Sequence, residues 1–461
     1  MWYPAPGDPR INLNNQAWAL PVVLEGTTAS LRWQQKLADG WKFVAHGATQ
    51  RLTSDDRIAF PFGCFAENPD YVEPLTYCSD GTVDLYDFRS ENERRRTNAL
   101  DLTLSGTLRS GTIEHALSLG VLHSRVTNRF GLQTFAFSGT GNVDGSVRDL
   151  PANPTPNDAN TNRDERSTEL SLRDAIAFDE RNTLWLGARH TRLKRASVRT
   201  DPADRRATDY QQSFTTPFVA LSHAWAAGQL VYLSWGRGVQ SEVAPNRARY
   251  SNAGEALPAL KSRQTELGVK GSAGDTEWNA ALFEIRQPLF RDIGACDGSD
   301  DSCTRQADGE QHHRGLDASV ATQFDAWTLR AGLQWLRARV QGVSDASIDG
   351  RQPTNVPART LKLQADHRLA ALPGLTLQGG LVAESSRMVL PDNSVRIGGW
   401  SRLDLGARYD TRLAGSAVTW RAGVDNAADR RAWRESPYQF GHAYLFPLAP
   451  RTFRLSVQAE L

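Results

Sequence analysis

RTFRLSVQAEL, residues 451–461, alternates between apolar and polar side chains up to the last residue. The apolar members of the alternation are Phe453, Leu455, Val457, Ala459 and Leu461. A period of two predicts a β-strand with one apolar and one polar face. Because many similar segments precede it, the chain is predicted to be an all-β, antiparallel transmembrane β-barrel, with lipid outside and a polar lumen inside.

The composition narrows the class of protein. The 461 residues carry 53 basic and 52 acidic side chains, which argues against nucleic-acid binding through bulk charge. Thirteen Trp suit the aromatic girdles of a membrane interface, although a soluble β-rich core would use them equally well. The sequence has no apolar run of about 18 residues, which excludes a helical membrane protein. Residues 1–15 lack the basic and apolar regions of a secretory signal, an absence that an exported barrel has to explain.

The four cysteines form two local pairs, Cys64 with Cys78 and Cys296 with Cys303. The even number and short spacing favour two disulfides that close loops in an oxidising compartment. Metal binding is the alternative, but neither pair has CxxC spacing and neither loop contains a histidine. We therefore predict two disulfides and no metal site.

Short turns alternate with long polar connections along the whole chain. The predicted turns lie at 38–40, 109–111, 179–182, 226–228, 271–276, 323–326, 371–374 and 411–415. The long connections, rich in Pro, Asn, Asp, Gly and Arg, include 127–163, 194–212, 241–259, 286–309, 340–357 and 428–449. Short periplasmic turns and long extracellular loops are typical of outer-membrane barrels. Both cysteine pairs fall in predicted extracellular loops.

Counting strands back from the end gives about 17, the first near residues 23–37, an odd number where single-chain bacterial barrels have an even one. The first strand would then run down from an extracellular segment. An open edge at membrane depth leaves backbone groups unpaired in lipid. We therefore expect residues 1–461 to form one barrel domain from the C-terminal part of a longer protein, without its first strands.

Several stretches resemble TonB-dependent outer-membrane receptors of the siderophore-receptor type. They are 216–246 (TPFVALSHAWAAGQLVYLSWGRGVQSEVAPN), 260–271 (LKSRQTELGVKG), 278–287 (WNAALFEIRQ), 312–320 (HHRGLDASV), 355–369, 373–387, 400–413, 422–433 and 449–461. Each is weak alone, but their order and spacing cover essentially the whole chain. Asp317 stands where the family more often has Glu, and Leu461 where it usually ends on an aromatic residue.

The resemblance implies a receptor in the outer membrane of a Gram-negative bacterium that takes up a metal chelate, most often a ferric siderophore. Family members have about 22 strands, a signal peptide, an N-terminal plug and a segment that contacts TonB, which works with ExbB and ExbD. In this chain we expect the signal, the plug, the TonB-contacting segment and about five strands to be absent. The barrel-assembly machinery and outer-membrane lipid are the other implied partners.

In the family, loop residues with aromatic and cationic side chains hold the substrate, by stacking and by Coulomb attraction to an anionic chelate. The matching residues here are Tyr71, Tyr77, Arg247, Tyr250, Trp433, Tyr438, Phe440, His442 and Tyr444. Each of them could instead pack loops or sit in an interface girdle. No cofactor is expected.

Other charged residues are interpreted as solvated or structural. His312 and His313 are adjacent on a strand, so they face opposite sides and cannot share a metal or haem. The acidic stretch 297–302 lacks the spacing of a calcium loop. Asp404 and Arg408, and likewise the pair Arg330 and Arg337, are expected to make the lumen polar.

No catalytic motif such as GxSxG, a phosphate loop or HExxH occurs, so the chain is predicted not to be an enzyme. A barrel phospholipase or protease remains an alternative, which retained hydrolysis in vesicles would favour. A diffusion porin is a second alternative, with passive conductance and no plug. Cobalamin and saccharides remain open as substrates.

Overall fold

The structure is a computed structural model that describes residues 8–67, 77–203, 205–247, 249–296, 302–439 and 442–460. Its regular elements are 24 strands. In chain order they are β1 Val23–Ala38, β2 Trp41–Pro61, β3 Thr82–Ser110, β4 Ile113–Arg129, β5 Thr134–Asn142, β6 Thr161–Ala177, β7 Asn182–Arg199, β8 Ala207–Ala226, β9 Gln229–Gln240, β10 Leu260–Ala273, β11 Thr276–Gly294, β12 Cys303–Phe324, β13 Trp327–Gln341, β14 Arg359–Arg368, β15 Leu375–Glu384, β16 Arg387–Met388, β17 Arg396–Ile397, β18 Trp400–Leu413, β19 Ser416–Asp425, β20 Trp433–Glu435, β21 Tyr438–Gln439, β22 His442–Ala443, β23 Phe446–Pro447 and β24 Thr452–Ala459.

Eighteen strands form a single antiparallel sheet. Seventeen of them pair in chain order and form the wall of the barrel, and β5 is the exception. β5 is a branch: it pairs with the first residues of β3, while the rest of β3 pairs with β4. The other seventeen strands, β1 to β4, β6 to β15, β18, β19 and β24, make the wall, so the predicted strand count is confirmed. Among the described residues, β1 pairs only with β2 and β24 only with β19, which leaves an open seam between them.

Tight turns join the strands at one end of the wall, at the positions predicted from the sequence. Gly40, Gly228 and Gly415 in these turns have φ of 75°, 71° and 90°. Glycine adopts this left-handed backbone without the steric cost that a Cβ would add, and two-residue hairpin turns need it. The turn signals read in the sequence are therefore confirmed as hairpins.

Several connections at the opposite end are shorter than predicted because the strands continue further. The loop expected at 194–212 narrows to 200–206 between β7 and β8, and the one expected at 286–309 narrows to 295–302 between β11 and β12. In both places the ladder continues through the polar segment. Val198 lies opposite Ala207 at the end of the β7–β8 ladder, and Gly294 lies opposite Cys303 at the end of the β11–β12 ladder. Polar composition indicated loops there, but the strands extend beyond the apolar part of the wall.

One face of the wall is apolar and exposed. Leu233, Leu267, Leu282 and Leu316 lie side by side on β9 to β12, with Trp335 next to Leu316 on β13. In β24, Phe453 and Leu455 are 78% and 76% exposed. A contiguous apolar surface of this extent needs lipid rather than water, so this is the outer face.

The inner face is polar and carries ion pairs and hydrogen bonds. Tyr232 donates to Glu266 over 2.6 Å, and Arg330 pairs with Asp366 at 3.0 Å. Asp404 pairs with Arg402 and Arg408 with Asp410, as expected of a polar lumen. The placement of Arg337 in the lumen is wrong: it lies seven residues from Arg330 on one strand, and an odd separation puts the two on opposite faces.

No helix in the described part of the chain is both long and apolar enough to cross a membrane.

Both predicted disulfides are present and both lie at the long-loop end of the wall. Cys64 is bonded to Cys78 and Cys296 to Cys303, with Cα–Cα distances of 5.1 and 4.6 Å. Three of the four cysteines are buried, with Cys303 fully so. The grouping of Cys64, Glu67 and Cys78 therefore offers a metal ion no thiolate, and its one carboxylate already accepts hydrogen bonds from Ser79.

Candidate functional site

Arginines gather on the inner face at the long-loop end of β3, β6 and β7. Arg95 lies opposite Asn128, and Asn128 opposite Arg163, so the three residues form one row across the wall. Ser197 on β7 lies opposite Arg163, and Arg195 is two residues before Ser197 on the same face of that strand. Together with Arg247 from the connection between β9 and β10, these residues form what we call the inner arginine cluster: Arg95, Arg163, Arg195 and Arg247.

Among the described residues, carboxylates pair with two members of the cluster and leave Arg163 without one. Arg95 pairs with Glu93 and Arg195 with Glu165, each at 2.7 Å. Arg163 is exposed to the lumen and forms no ion pair with any described residue. Partial desolvation by the wall, followed by the charges of the other three arginines, lowers the pKa of Arg163. Repulsion of this kind is relieved by a bound anion.

The loop between β9 and β10 is fixed onto β7 and its neighbouring loop. Arg199 donates from Nη1 to the backbone oxygen of Asn246 at 3.0 Å, and Asn246 donates from Nδ2 to the backbone oxygen of Arg206 at 2.9 Å. These bonds fix the loop residue that precedes Arg247, and the charge of Arg247 is one of those that lower the pKa of Arg163. Of the residues singled out in the sequence, Arg247 is the one that joins this cluster.

A second group at the same end is aromatic and half-buried. Tyr86 stacks on Phe135 with ring centroids 4.6 Å apart, and Phe62 meets Phe135 edge-on at 5.3 Å. Phe60 contacts Phe135 at 5.8 Å and Tyr444 of the last loop at 6.0 Å. We call these five residues the aromatic cluster. Edge-on and offset-stacked arrangements are the favoured geometries of aromatic pairs, so the rings hold one another in place.

Tyr77 and Tyr250 lie in two other settings. Tyr77 precedes the disulfide-bonded Cys78, and burial raises the pKa of its hydroxyl. Tyr250 is 4% exposed: its hydroxyl donates to Asp292 at 3.0 Å and accepts from Arg249 at 3.2 Å. The Tyr250 side chain therefore ties the loop after β9 to β11 and presents almost no surface to a ligand.

The last loop carries the remaining predicted residues and packs on the loop after β15. Trp433 and Tyr438 lie against a small apolar core of Val389, Leu390 and Ile397. Tyr444 leaves this core and reaches the aromatic cluster, and burial raises the pKa of its hydroxyl. The structure thus divides the predicted residues among several groups instead of one pocket.

Some sequence predictions lie outside the described residues. Tyr71 and Phe440 fall there, as do most of the acidic stretch 297–302 and the terminal Leu461. His442 is described in the backbone as part of β22, but its side chain is not. These predictions stay predictions.

Sequence reasoning missed Arg95, Arg163 and Arg195. Arg163 and Arg195 fall in the long connections predicted at 127–163 and 194–212, and Arg95 belongs to the charged stretch ENERRR at 91–96, to which no role was assigned. The alternation of faces could have placed each one toward the lumen. Their grouping depends on which strand residues lie opposite one another, which one sequence does not display.

Comparison with known proteins identifies the architecture. The family model described as "TonB dependent receptor-like, beta-barrel" matches residues 3–427. The ferrichrome receptor FcuA of Yersinia enterocolitica is 26% identical over 302 residues, which are 64% of this chain and 38% of that protein. The ferrioxamine B receptor of Salmonella typhimurium is 22% identical over 352 residues, 75% of this chain and 48% of that protein. The chain thus spans less than half the length of both relatives.

Solved structures show the same fold. BauA, the ferric preacinetobactin receptor of Acinetobacter baumannii, superposes with a TM-score of 0.79 at 24% identity, over 95% of this chain and 63% of that one. Fiu, the ferric-catecholate import receptor of E. coli K12, gives 0.77 at 17% identity in its closed form, over 96% of this chain and 65% of that one.

Proposed function

We propose that this chain, which belongs to the family of TonB-dependent receptors as its β-barrel, binds an anionic ferric chelate at its extracellular end for uptake into the cell. Members of the family lie in the outer membrane of Gram-negative bacteria, so the apolar outer face meets lipid and the long loops point outward. The substrate class we favour is a ferric siderophore.

The inner arginine cluster carries this proposal. A ferric siderophore with surplus carboxylate or catecholate oxygens has a negative charge spread over many acceptors. Guanidinium groups bind such groups through charge-assisted hydrogen bonds, which are stronger where the protein partly desolvates the cation, as it does Arg163. Arg163 has the free capacity, because Glu93 and Glu165 already pair with its neighbours.

The aromatic cluster supports the same substrate class. Its rings sit on β2, β3 and β5 at the long-loop end and are closed on one side by Tyr444. Planar chelating rings stack on aromatic faces with about 0.5–1.5 kcal/mol per pair beyond simple burial. The relatives named above are receptors for ferrichrome and ferrioxamine B, which favours iron over a saccharide or cobalamin.

Coupling to energy belongs to the proposal as well. The chain spans 38% of the ferrichrome receptor, so the transport cycle is assigned to a longer receptor in which these residues supply the barrel. In that receptor a plug would close the lumen, and TonB with ExbB and ExbD would remodel it. On this view the chain binds a chelate and does not hydrolyse one.

The test is chelate binding by the barrel in lipid vesicles. Arg163→Gln should weaken binding of an anionic ferric catecholate about ten- to hundredfold, because one charge-assisted contact contributes about 1.5–3 kcal/mol. Arg163→Lys should restore most of it, since the charge returns. Arg192→Gln, which removes an exposed arginine from the outer face of β7, is the matched control and should bind like the unaltered chain.

Two outcomes would refute the proposal. Equal affinity of Arg163→Gln and the control would remove the cluster from the site. Unselective passage of small solutes through the longer receptor, with no saturable chelate binding, would favour a diffusion porin instead.

A further inference from the structure

A band of arginines crosses the outer face of five neighbouring strands. Arg237 on β9 lies opposite Arg263 on β10, and Arg263 lies opposite Arg286 on β11. The row continues through His312 on β12 to Arg339 on β13. One step toward the short-turn end, Arg314 lies opposite Arg337. The outer arginine band comprises these six arginines: Arg237, Arg263, Arg286, Arg314, Arg337 and Arg339.

The band is barely neutralised by the protein. Among the described residues, Glu284 pairs with Arg286 at 2.7 Å and with Arg314 at 3.2 Å, and Glu310 pairs with His312 in the row rather than with an arginine. Arg263 and Arg337 are exposed and pair with no carboxylate among the described residues. Like charges directly opposite each other in a ladder destabilise a sheet, so this arrangement calls for an anion from outside the protein.

Immediately below the band the surface becomes apolar. Leu267 and Leu282 are 50% and 57% exposed and Trp335 is 54% exposed. These residues line one open groove of about 700 Å³ together with four arginines of the band, Arg263, Arg286, Arg314 and Arg337. The groove is therefore amphipathic along the direction in which a lipid molecule lies against a barrel.

We propose that this groove binds a lipid of the outer leaflet whose head group carries phosphates, with the arginines on the phosphates and the leucines and Trp335 along the acyl chains. The band stands on the long-loop side of the apolar rows, which in this family is the side of the outer leaflet. Arginine forks match phosphate oxygens bidentately. A free phosphate ion would use the arginines alone and leave the apolar half of the groove without a partner.

Arg337 shows why this site is separate from the chelate site. It was assigned to the lumen from sequence, but it belongs to the same strand face as Trp335 and Leu333. The inner arginine cluster lies on the opposite face and on β3, β6 and β7. The two sets of arginines can therefore be altered independently.

The experiment uses the full chain in detergent micelles with three probes. They are a bisphosphorylated, acylated disaccharide lipid, the same lipid with its phosphates removed, and inorganic phosphate, each followed by native mass spectrometry and by titration. The double variant Arg263→Gln/Arg337→Gln should bind the phosphorylated lipid at least about tenfold more weakly. Arg192→Gln, on the outer face of β7, should leave that affinity unchanged.

The results separate the explanations. Tight, salt-sensitive retention of the phosphorylated lipid over its dephosphorylated form, lost in the double variant, supports the proposal. Equal retention of both lipids would overturn it in favour of unspecific acyl contact. Inorganic phosphate binding that the lipid cannot displace would overturn it in favour of a simple anion site. Chelate binding should be unaffected in the double variant, so failure here is distinguishable from failure of the chelate site.

Discussion

Arg10 and Asp429, 419 positions apart in the chain, form an ion pair with 2.7 Å between Nη2 and Oδ1. The same N-terminal segment reaches further along the long-loop end: Asn14 accepts from the backbone nitrogen of Ala59, and Trp18 donates to the backbone oxygen of Leu150. It therefore connects the last loop with β2 and the loop after β5. These contacts join the segments next to the two edge strands, since β2 pairs with β1 and the last loop leads into β24.

The Arg10–Asp429 contact should depend on pH. The hydrogen bond from Arg10, followed by one from the backbone of Arg451, lowers the pKa of Asp429. The contribution of this ion pair to the stability of the N-terminal segment is complete above the ordinary aspartate pKa of about 3.9. It is lost as the pH falls through the lowered pKa of Asp429. Digestion with an acid protease between about pH 5 and 2, read by mass spectrometry, should show cleavage within residues 8–20 only near the lower limit.

Arg10→Gln should allow that cleavage at a higher pH than in the unaltered chain. Arg430→Ala removes a charge from the same loop outside this ion pair and serves as control. A cleavage profile of Arg10→Gln identical to that of the control would contradict the assignment.

Asp87 should be sensitive to loss of its charge. Its side chain is fully buried, accepts two hydrogen bonds of 2.8 Å from Arg89, and accepts a third from the backbone nitrogen of Asn153 at 2.9 Å. Asp87→Asn leaves the Arg89 charge without a partner and should cost about 3–5 kcal/mol. Hydrogen exchange of β5 and of residues 143–159 should accelerate. Asp149→Asn, an exposed aspartate in that segment, should change neither, and equal rates in both variants would refute the prediction.

Asn426 should control the order of the last loop. It is fully buried, donates from Nδ2 to the backbone oxygens of Arg430 and Ala449 at 2.9 Å, and has φ of 48°. Asn426→Ala loses these bonds and strains the backbone, at about 1–3 kcal/mol for the buried polar groups and about 1–2 kcal/mol for the left-handed conformation. Asn426→Gly loses only the first part. Hydrogen exchange in residues 427–450 should be slowest in the unaltered chain, faster in Asn426→Gly and fastest in Asn426→Ala. Faster exchange in Asn426→Gly than in Asn426→Ala would exclude backbone strain.

A charged side chain should be destabilising on the outer face of β24 and tolerated on its inner face. Leu455 is 76% exposed on the apolar side, whereas Ser456 lies opposite Arg421 on the polar side. Leu455→Arg should reduce insertion into lipid vesicles, since a charge near the bilayer midplane costs about 2–4 kcal/mol. Ser456→Arg should insert nearly as the unaltered chain does. Heat-dependent gel mobility measures the folded fraction, and equal losses for the two variants would argue against lipid on this side.

Local signals predicted the elements of this protein well. The turn glycines and the alternation of RTFRLSVQAEL depend only on neighbouring residues, and the structure confirms both. The predicted loops were too long where polar residues continue a ladder, as at Val198 and Gly294. Polar composition indicates that a segment is surrounded by water, but a strand that extends beyond the membrane is surrounded by water just as a loop is. Composition alone therefore does not distinguish the two.

The site residues depended on long-range contacts that one sequence does not contain. Arg95 and Arg163 become neighbours through Asn128 on the strand between them, so the register of β3, β4 and β6 has to be known. Tyr250 shows the converse, because its ring and hydroxyl are used internally by Asp292 and Arg249. Residue type identified candidate binding residues, and strand pairing and loop contacts determined which of them lie together.

The strict alternation of the wall constrains how this protein can change in evolution. A one-residue deletion in the middle of β12 that reverses the faces there would carry Leu316 into the lumen and its neighbour Asp317 into lipid, and the error would persist to the next turn. Deleting two residues would restore the faces and shift only the register. Natural variants should therefore gain or lose residues freely in the long loops and in pairs within strands such as β12.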